Sequence, residues 1–187
     1  MDKLHIYEAL LKDWQQRMNL VGPATLDHVW SRHFADSAQL AHIVGPGRKW
    51  LDIGAGGGFP GLVLAAMDWG QFFLVDSVAK KCRFLEAAVE AMGLNNVTVI
   101  CDRVERLRTL GVDVATARAA APLADLFDWS LRHVRPGGQY VFPKGRNYAA
   151  ELKTAESRFS FDYDLVESQT EPGAHIIVAR NLGRRRK

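Results

Sequence analysis

Cysteine is scarce in this chain. Only Cys82 and Cys101 occur, far apart and in no CxxC or Cys/His spacing, which speaks against a disulfide framework and a zinc site; no metal is expected. Long apolar runs are missing too. No stretch approaches the roughly 18 residues of a membrane-crossing helix, so no membrane partner is expected. The opening "MDKLHIYEALLKDW" has acids and aromatics where a secretion signal needs a basic start and an apolar core. A cytoplasmic protein is expected. No G-x-x-x-x-G-K-[ST] occurs, which argues against a nucleoside triphosphatase. Repeats, low-complexity tracts and linkers are absent. Residues 1–187 read as one domain, with 1–47 as a helical extension and 48–187 as the core.

Net charge is small as well, +3 with a pI near 9.0, and points only mildly to an anionic partner. The placement of the basic residues says more. Lys80 and Arg83, Arg103, Lys144 and Arg146, and the closing "GRRRK" include several that follow expected strand ends.

What is present is patterned. Leu4, Tyr7, Leu11, Trp14 and Met18 recur at spacings of three and four, the stripe of an amphipathic helix. After "VGPAT", with Thr25 as an expected N-cap, a second helix is predicted through 26–44. From residue 49 strands and helices alternate. "KWLDI", "QFFLVD", "NVTVI", "VDVATARA" and "GGQYVFPKG" read as strands, with helices or helical turns between them. Ser77 is expected to cap the helix after the second strand, which carries Val78, Cys82, Leu85, Val89 and Met92 on one face. A short helix is expected around "VERLRTLG". Near-continuous apolar strands imply a parallel sheet covered on both faces. "FDYDLVESQ" and "AHIIVAR", joined only by "TEPG", must be antiparallel, because a parallel crossover needs a dozen or more residues. The expected fold is α/β: a mostly parallel, doubly wound sheet closed by an antiparallel hairpin, with helices at the N-terminus.

The chemistry concentrates in "LDIGAGGGFPG", residues 51–61. In such sheets a ligand sits beyond the carboxyl ends of the strands, and glycines there let a backbone turn sharply or approach a ligand closely. Two registers compete. Gly56, Gly58 and Gly61 satisfy the dinucleotide pattern G-x-G-x-x-G. Asp52, Gly54, Gly56 and Gly58 satisfy a looser D-x-G-x-G-x-G, the kind of turn that holds S-adenosylmethionine. Asp52 suits a cationic amino group and would repel a pyrophosphate, and Phe59 and Pro60 put bulk where a dinucleotide turn needs open amides. Asp76, ending the second strand, suits the hydroxyls of a ribose in either case.

With these residues in view, the chain resembles the ribosomal small-subunit methyltransferase G family, also called glucose-inhibited division protein B. "RMNLVG", "RHFADS", "LDIGAGGGFPG", "VDSVAKKCRFLEAA", "DRVERL", "ARAAAPL" and "FPKG" occur in that family's order and spacing. Gly57 stands where many members have proline, and the chain begins without a helical segment that many carry. The resemblance implies a class I, Rossmann-like methyltransferase fold, S-adenosylmethionine as cofactor, and methylation of guanine N7 in the decoding-region loop of 16S rRNA. It implies cofactor contacts at Gly54, Phe59, Val104, Glu105 and Arg118. Arg118 and Lys144 are expected to position the guanosine, with no general base, and Lys80, Arg83, Arg103, Lys144 and Arg146 to contact RNA. His33 and Asp36 are expected to order an N-terminal lid. The partner would be the small ribosomal subunit or a precursor, and the protein a monomer. A small-molecule methyltransferase, an NAD-dependent oxidoreductase and a non-enzymatic RNA-binding protein are the alternatives.

Overall fold

A computed structural model describes residues 2–185. Arg186 and Lys187 of the basic tail lie outside them.

Helix α1 (Asp2–Gln15) buries Tyr7 and Leu11 completely, as its apolar spacing predicts. Met18 falls beyond its end. Gln15 closes it: its side-chain Oε1 accepts from the amides of Leu20 (2.8 Å) and Val21 (3.1 Å) and its Nε2 donates to the Val21 carbonyl, pinning the next loop beside the helix.

The long second helix expected over 26–44 is instead broken. A 3-10 stretch (Pro23–His28), a π-helical turn (Trp30–Ala35), one α-turn, α2 (Asp36–Ala38), and another 3-10 stretch (Gln39–His42) follow one another. The widened π turn carries His33 and Phe34 inward together, where Phe34 stacks on Tyr7 and His33 on Phe59. Contacts distant in sequence set the turn type here, as is common for π turns near functional sites. Thr25 is no N-cap: its hydroxyl donates to the Gly22 carbonyl at 2.7 Å.

The strands are β1 (Arg48–Ile53), β2 (Gly70–Asp76), β3 (Val97–Cys101), β4 (Val112–Thr116), β5 (Val134–Lys144), β6 (Phe159–Glu167) and β7 (His175–Arg184). They form one sheet in the order β3-β2-β1-β4-β5-β7-β6. The first five are parallel, and β7 lies antiparallel between β5 and β6, closing the sheet with the expected hairpin. Helices α3 (Gly61–Ala66), α4 (Ala79–Ala91), α5 (Leu123–Ser130) and α6 (Tyr148–Arg158) cover its faces. Strand residues alternate between two cores. Trp50, Phe72 and Leu74 join Tyr7, Phe34 and Phe84 on one side, and Leu51, Val75 and Ala115 join Phe127 and Phe142 on the other. The N-terminal segment thus shares a core with the sheet.

Three local expectations change. Asp76, not Ser77, holds the start of α4, its Oδ1 accepting the Val78 amide at 2.9 Å. Val78 precedes that helix and is exposed rather than on its buried face. The helix around "VERLRTLG" is a single 3-10 turn, Val104–Arg106, because Leu107 is extended.

Candidate methyl-donor and RNA site

Strand order reverses between β1 and β4, so their carboxyl ends part and open a crevice. Register pairs bring Ile53 beside Val75 and Asp76 beside Cys101. A cleft of ≈ 790 Å³ occupies the crevice, within the roughly 300–1,000 Å³ usual for ligand pockets. Its floor is the glycine turn, its roof the loop around residues 20–25 with the π turn, and its far wall the segments after β4 and β5 and the β6–β7 turn.

The glycines divide by direction. Gly54 and Gly56, at φ +66° and +53°, line the cleft in a left-handed backbone that favours glycine. Gly58 faces inward; a Cβ there would lie 2.4 Å from Leu62 Cδ1 and 2.5 Å from the Tyr7 hydroxyl. The same is true of Gly61, where a Cβ would meet Leu74 at 2.3 Å. The turn is held from behind. The Tyr7 hydroxyl donates to the Gly57 carbonyl, and Asp76 Oδ2 accepts the Gly56 amide at 2.9 Å. Nothing in the sequence beyond the stripe of α1 marked Tyr7 for this role.

Asp52 departs from expectation. The sequence pattern assigns it to a cationic amino group, but it is fully buried, outside the cleft wall, with Oδ2 accepting the Gly61 amide at 2.9 Å and Oδ1 lacking a hydrogen-bond partner. Burial raises its pKa well above the usual carboxylate value, and its place behind α3 sets it apart from the residues that line the cleft. The same geometry disfavours the dinucleotide register. The Gly61 amide is taken by Asp52 and the Leu62 amide by the Gly58 carbonyl at 2.8 Å, so the start of α3 offers a pyrophosphate little.

Arg118 and Phe59 do meet in the cleft. The guanidinium lies over the Phe59 ring at 4.6 Å, donating to the Arg32 carbonyl (3.2 Å), Asp36 Oδ2 (3.4 Å) and His33 Nδ1 (2.7 Å). Asp36 in turn accepts from the Thr170 hydroxyl at 2.6 Å and the Gln39 amide at 2.8 Å, tying the N-terminal segment to the β6–β7 turn. Burial, then the charge of Arg118, push the His33 pKa down to about 4.

Lys144 also lines the cleft, but it is not a free cation. Its ammonium donates to the Ala121 carbonyl at 2.7 Å and pairs with Glu151 Oε2 at 2.8 Å, with the side chain 8% exposed. Glu151 also receives the Leu123 amide; sequence reasoning missed this acid because it lies on a separate helix. Asp76, Val104 and Glu105 are not part of the cleft wall. Asp76 sits directly behind Gly56, Val104 is buried with its carbonyl facing His133, and Glu105 is exposed. Lys80, Arg83, Arg103 and Arg146 are exposed and outside the cleft; Arg146 leans on the β6–β7 turn through the Pro172 carbonyl. Among the described residues no His, Cys, Asp and Glu cluster has the makings of a metal site, and no helix is long and apolar enough to cross a membrane.

The family described as "rRNA small subunit methyltransferase G" matches residues 1–184. The chain is 42% identical to the Ribosomal RNA small subunit methyltransferase G of Paramagnetospirillum magneticum, spanning 100% of this chain and 91% of that protein. It is 44% identical to the protein of the same name from Methylorubrum populi, over 97% and 88% of the two chains. Among solved structures, a SAM dependent methyltransferase from Aquifex aeolicus superposes with TM-score 0.65 at 15% identity, covering 92% of this chain and 97% of that one. TYW2 of M. jannaschii in complex with AdoMet gives 0.63 at 16% identity, over 83% and 78%. At these identities the structural likeness shows the fold alone.

Proposed function

Because the chain belongs to the rRNA small subunit methyltransferase G family, we infer that it is an S-adenosylmethionine-dependent methyltransferase acting on N7 of a guanosine in 16S rRNA. The observation that carries this reading is the family match over residues 1–184, which takes in both the N-terminal segment and the class I sheet. Neither the small-molecule methyltransferase nor the oxidoreductase reading is favoured.

The residues of the cleft fit the methyl donor. Two left-handed glycines shape the floor: a Cβ at Gly56 would lie beside the Gly54 carbonyl at 3.5 Å and Lys81 Nζ at 3.9 Å, and one at Gly54 would meet the Ala120 Cβ at 2.9 Å. Gly54, Gly56, Phe59 and Arg118 would hold the donor directly. Asp76 stands at the end of β2, where a ribose acid is expected, and shapes the turn through the Gly56 amide. Val104 and Glu105 follow the end of β3, next to it in the sheet, where they would border the adenine. When bound, the donor supplies an electrophilic methyl group.

Guanine N7 already presents a lone pair, so no proton need leave it before attack. The chain accordingly needs no general base. Its work is positioning, which can lower a barrier by roughly 7–11 kcal/mol when reacting atoms are held in line. Arg118, fixed at three acceptors, presents a rigid edge to the target. Lys144 builds the wall beneath it through Glu151. We assign RNA backbone binding to Lys80, Arg83, Arg103 and Arg146, all exposed. The decoding-region loop within the small subunit or a precursor particle is the proposed target, met in the cytoplasm by a monomer.

The test is to incubate the protein with methyl-labelled S-adenosylmethionine and small subunits from a strain lacking the modification, then digest the RNA. Label on guanine N7 supports the reading. Label on another nucleoside, or none despite donor binding, overturns it.

A further inference from the structure

Around Arg118 the directions of the hydrogen bonds are forced. A guanidinium only donates, so His33 Nδ1, 2.7 Å from Nη2, must accept and carries no proton. The remaining ring proton sits on Nε2 and is donated to Thr25 Oγ1 at 2.8 Å. Thr25 passes its own proton to the Gly22 carbonyl at 2.7 Å. The relay is complete and runs one way, from Arg118 through His33 and Thr25 to the backbone of the roof loop.

We propose that His33 is a positioning residue for methyl transfer: as the neutral Nε2–H tautomer, pinned by Thr25, it holds the Arg118 guanidinium over Phe59 at the cleft. This rests on the methyltransferase reading above. The same Phe59 ring supports both groups, His33 stacked at 4.9 Å and Arg118 over it at 4.6 Å, so a shift of either displaces the other.

Electrostatics favours the neutral ring. Transfer moves positive charge from the donor's sulfonium to guanine, beside a permanent arginine cation. Asp36 balances Arg118, and a protonated His33 would add a second positive charge beside that arginine and would lose its acceptor. The charged groups facing the ring are Arg118 from the segment after β4 and Asp36 and Arg32 from its own turn; Thr25 and Phe59 complete its surroundings. Burial and Arg118 outweigh Asp36 and keep the imidazole neutral at physiological pH.

The first readout needs no activity. Nitrogen NMR of 15N-histidine-labelled protein should show His33 as the Nε2–H tautomer at pH 7 and still neutral below pH 6.5; an Nδ1–H tautomer or an imidazolium at pH 7 overturns the proposal. Kinetics on small subunits supply the second. His33→Phe keeps a ring on Phe59 and removes the acceptor; kcat should fall about tenfold to a hundredfold, as a displacement near 1 Å can do, with KM for the subunit within about twofold. His33→Asn sets its Oδ1 near the place of Nδ1 and should recover much of the loss. Equal kcat in wild type and His33→Phe, or no rescue by His33→Asn, overturns the proposal. Thr25→Val removes only the outer end of the relay and covers the case in which His33→Phe fails to fold; it should mix the tautomers and lower kcat, and an unchanged tautomer and kcat count against the proposal. A wild-type protein that transfers no methyl group overturns the underlying reading as well, so the two failures are distinguishable.

Discussion

At the scale of single residues, two buried ionisable groups pull pH dependence in opposite directions. His33 titrates near 4 in the folded chain against an ordinary 6.5. Between these values the unfolded chain takes up a proton that the folded one refuses, so this contribution to stability is full above pH 6.5 and is lost as pH falls toward 4. Thermal midpoints of wild type should therefore drop more steeply than those of His33→Asn across that window. Asp52 has the reverse sign. Burial raises its pKa, so the folded chain keeps a proton that the unfolded one has already released. Its contribution is present in acid and fades as pH rises through the raised value. Asp52→Asn, able to accept the Gly61 amide without charge, should flatten a melting-temperature profile from about pH 3.8 upward. If the carboxylate instead binds the donor's ammonium, calorimetry would show S-adenosylmethionine affinity collapsing in this variant. Asp76 acts through its hydrogen bonds. Its two oxygens hold the Gly56 and Val78 amides, and a hydrogen bond contributes about 1 kcal/mol. Asp76→Ala should weaken donor binding at least about tenfold by calorimetry.

Elements act here by pressing on one another. Helix α1 contributes no residue to the cleft wall, yet Tyr7 fastens the glycine turn at Gly57 and stacks on Phe59. Tyr7→Phe keeps the stacking and removes one hydrogen bond, a cost of about 1 kcal/mol measurable by denaturant unfolding. Strand β5 and helix α6 are joined by Lys144 and Glu151. Removing one partner of a fully buried pair costs about 3–5 kcal/mol, and here Glu151 remains 25% exposed. Lys144→Met should accordingly lower stability by about 2 kcal/mol. If Lys144 instead grips RNA, the variant would melt like wild type and bind subunits more weakly.

For the molecule as a whole, the proposed division is between a cleft for a small donor and an exposed basic surface for a large polyanion. Lys80, Arg83 and Arg103 lie outside the cleft wall. Substituting all three with alanine should weaken subunit binding and reduce its dependence on salt, by roughly 0.7–0.9 in logarithmic slope for each phosphate the variant no longer neutralises. Donor affinity, measured by calorimetry on the same variant, should be unchanged. A parallel fall in donor binding would place these residues in the cofactor site instead.

Local chemistry was enough to read the strands, the antiparallel closing hairpin and the glycine turn from sequence. Alternation, β-branched runs and a turn too short for a crossover act over a few residues. The place of Phe59 and Arg118 at the cleft was legible as well, through the family resemblance of motifs in a fixed order. What the sequence by itself left open depends on the meeting of distant segments. The break of the 26–44 helix follows from burying His33 and Phe34 against Phe59 and Tyr7. The turning of Asp52 away from the cleft goes with its bond to the Gly61 amide of α3, and the tie between the N-terminal segment and the β6–β7 turn follows from Asp36 meeting Thr170, 134 residues along the chain. Such pairings form only when the sheet brings the segments together. Helical propensity and residue type carry no trace of them, and tertiary structure alone decided them.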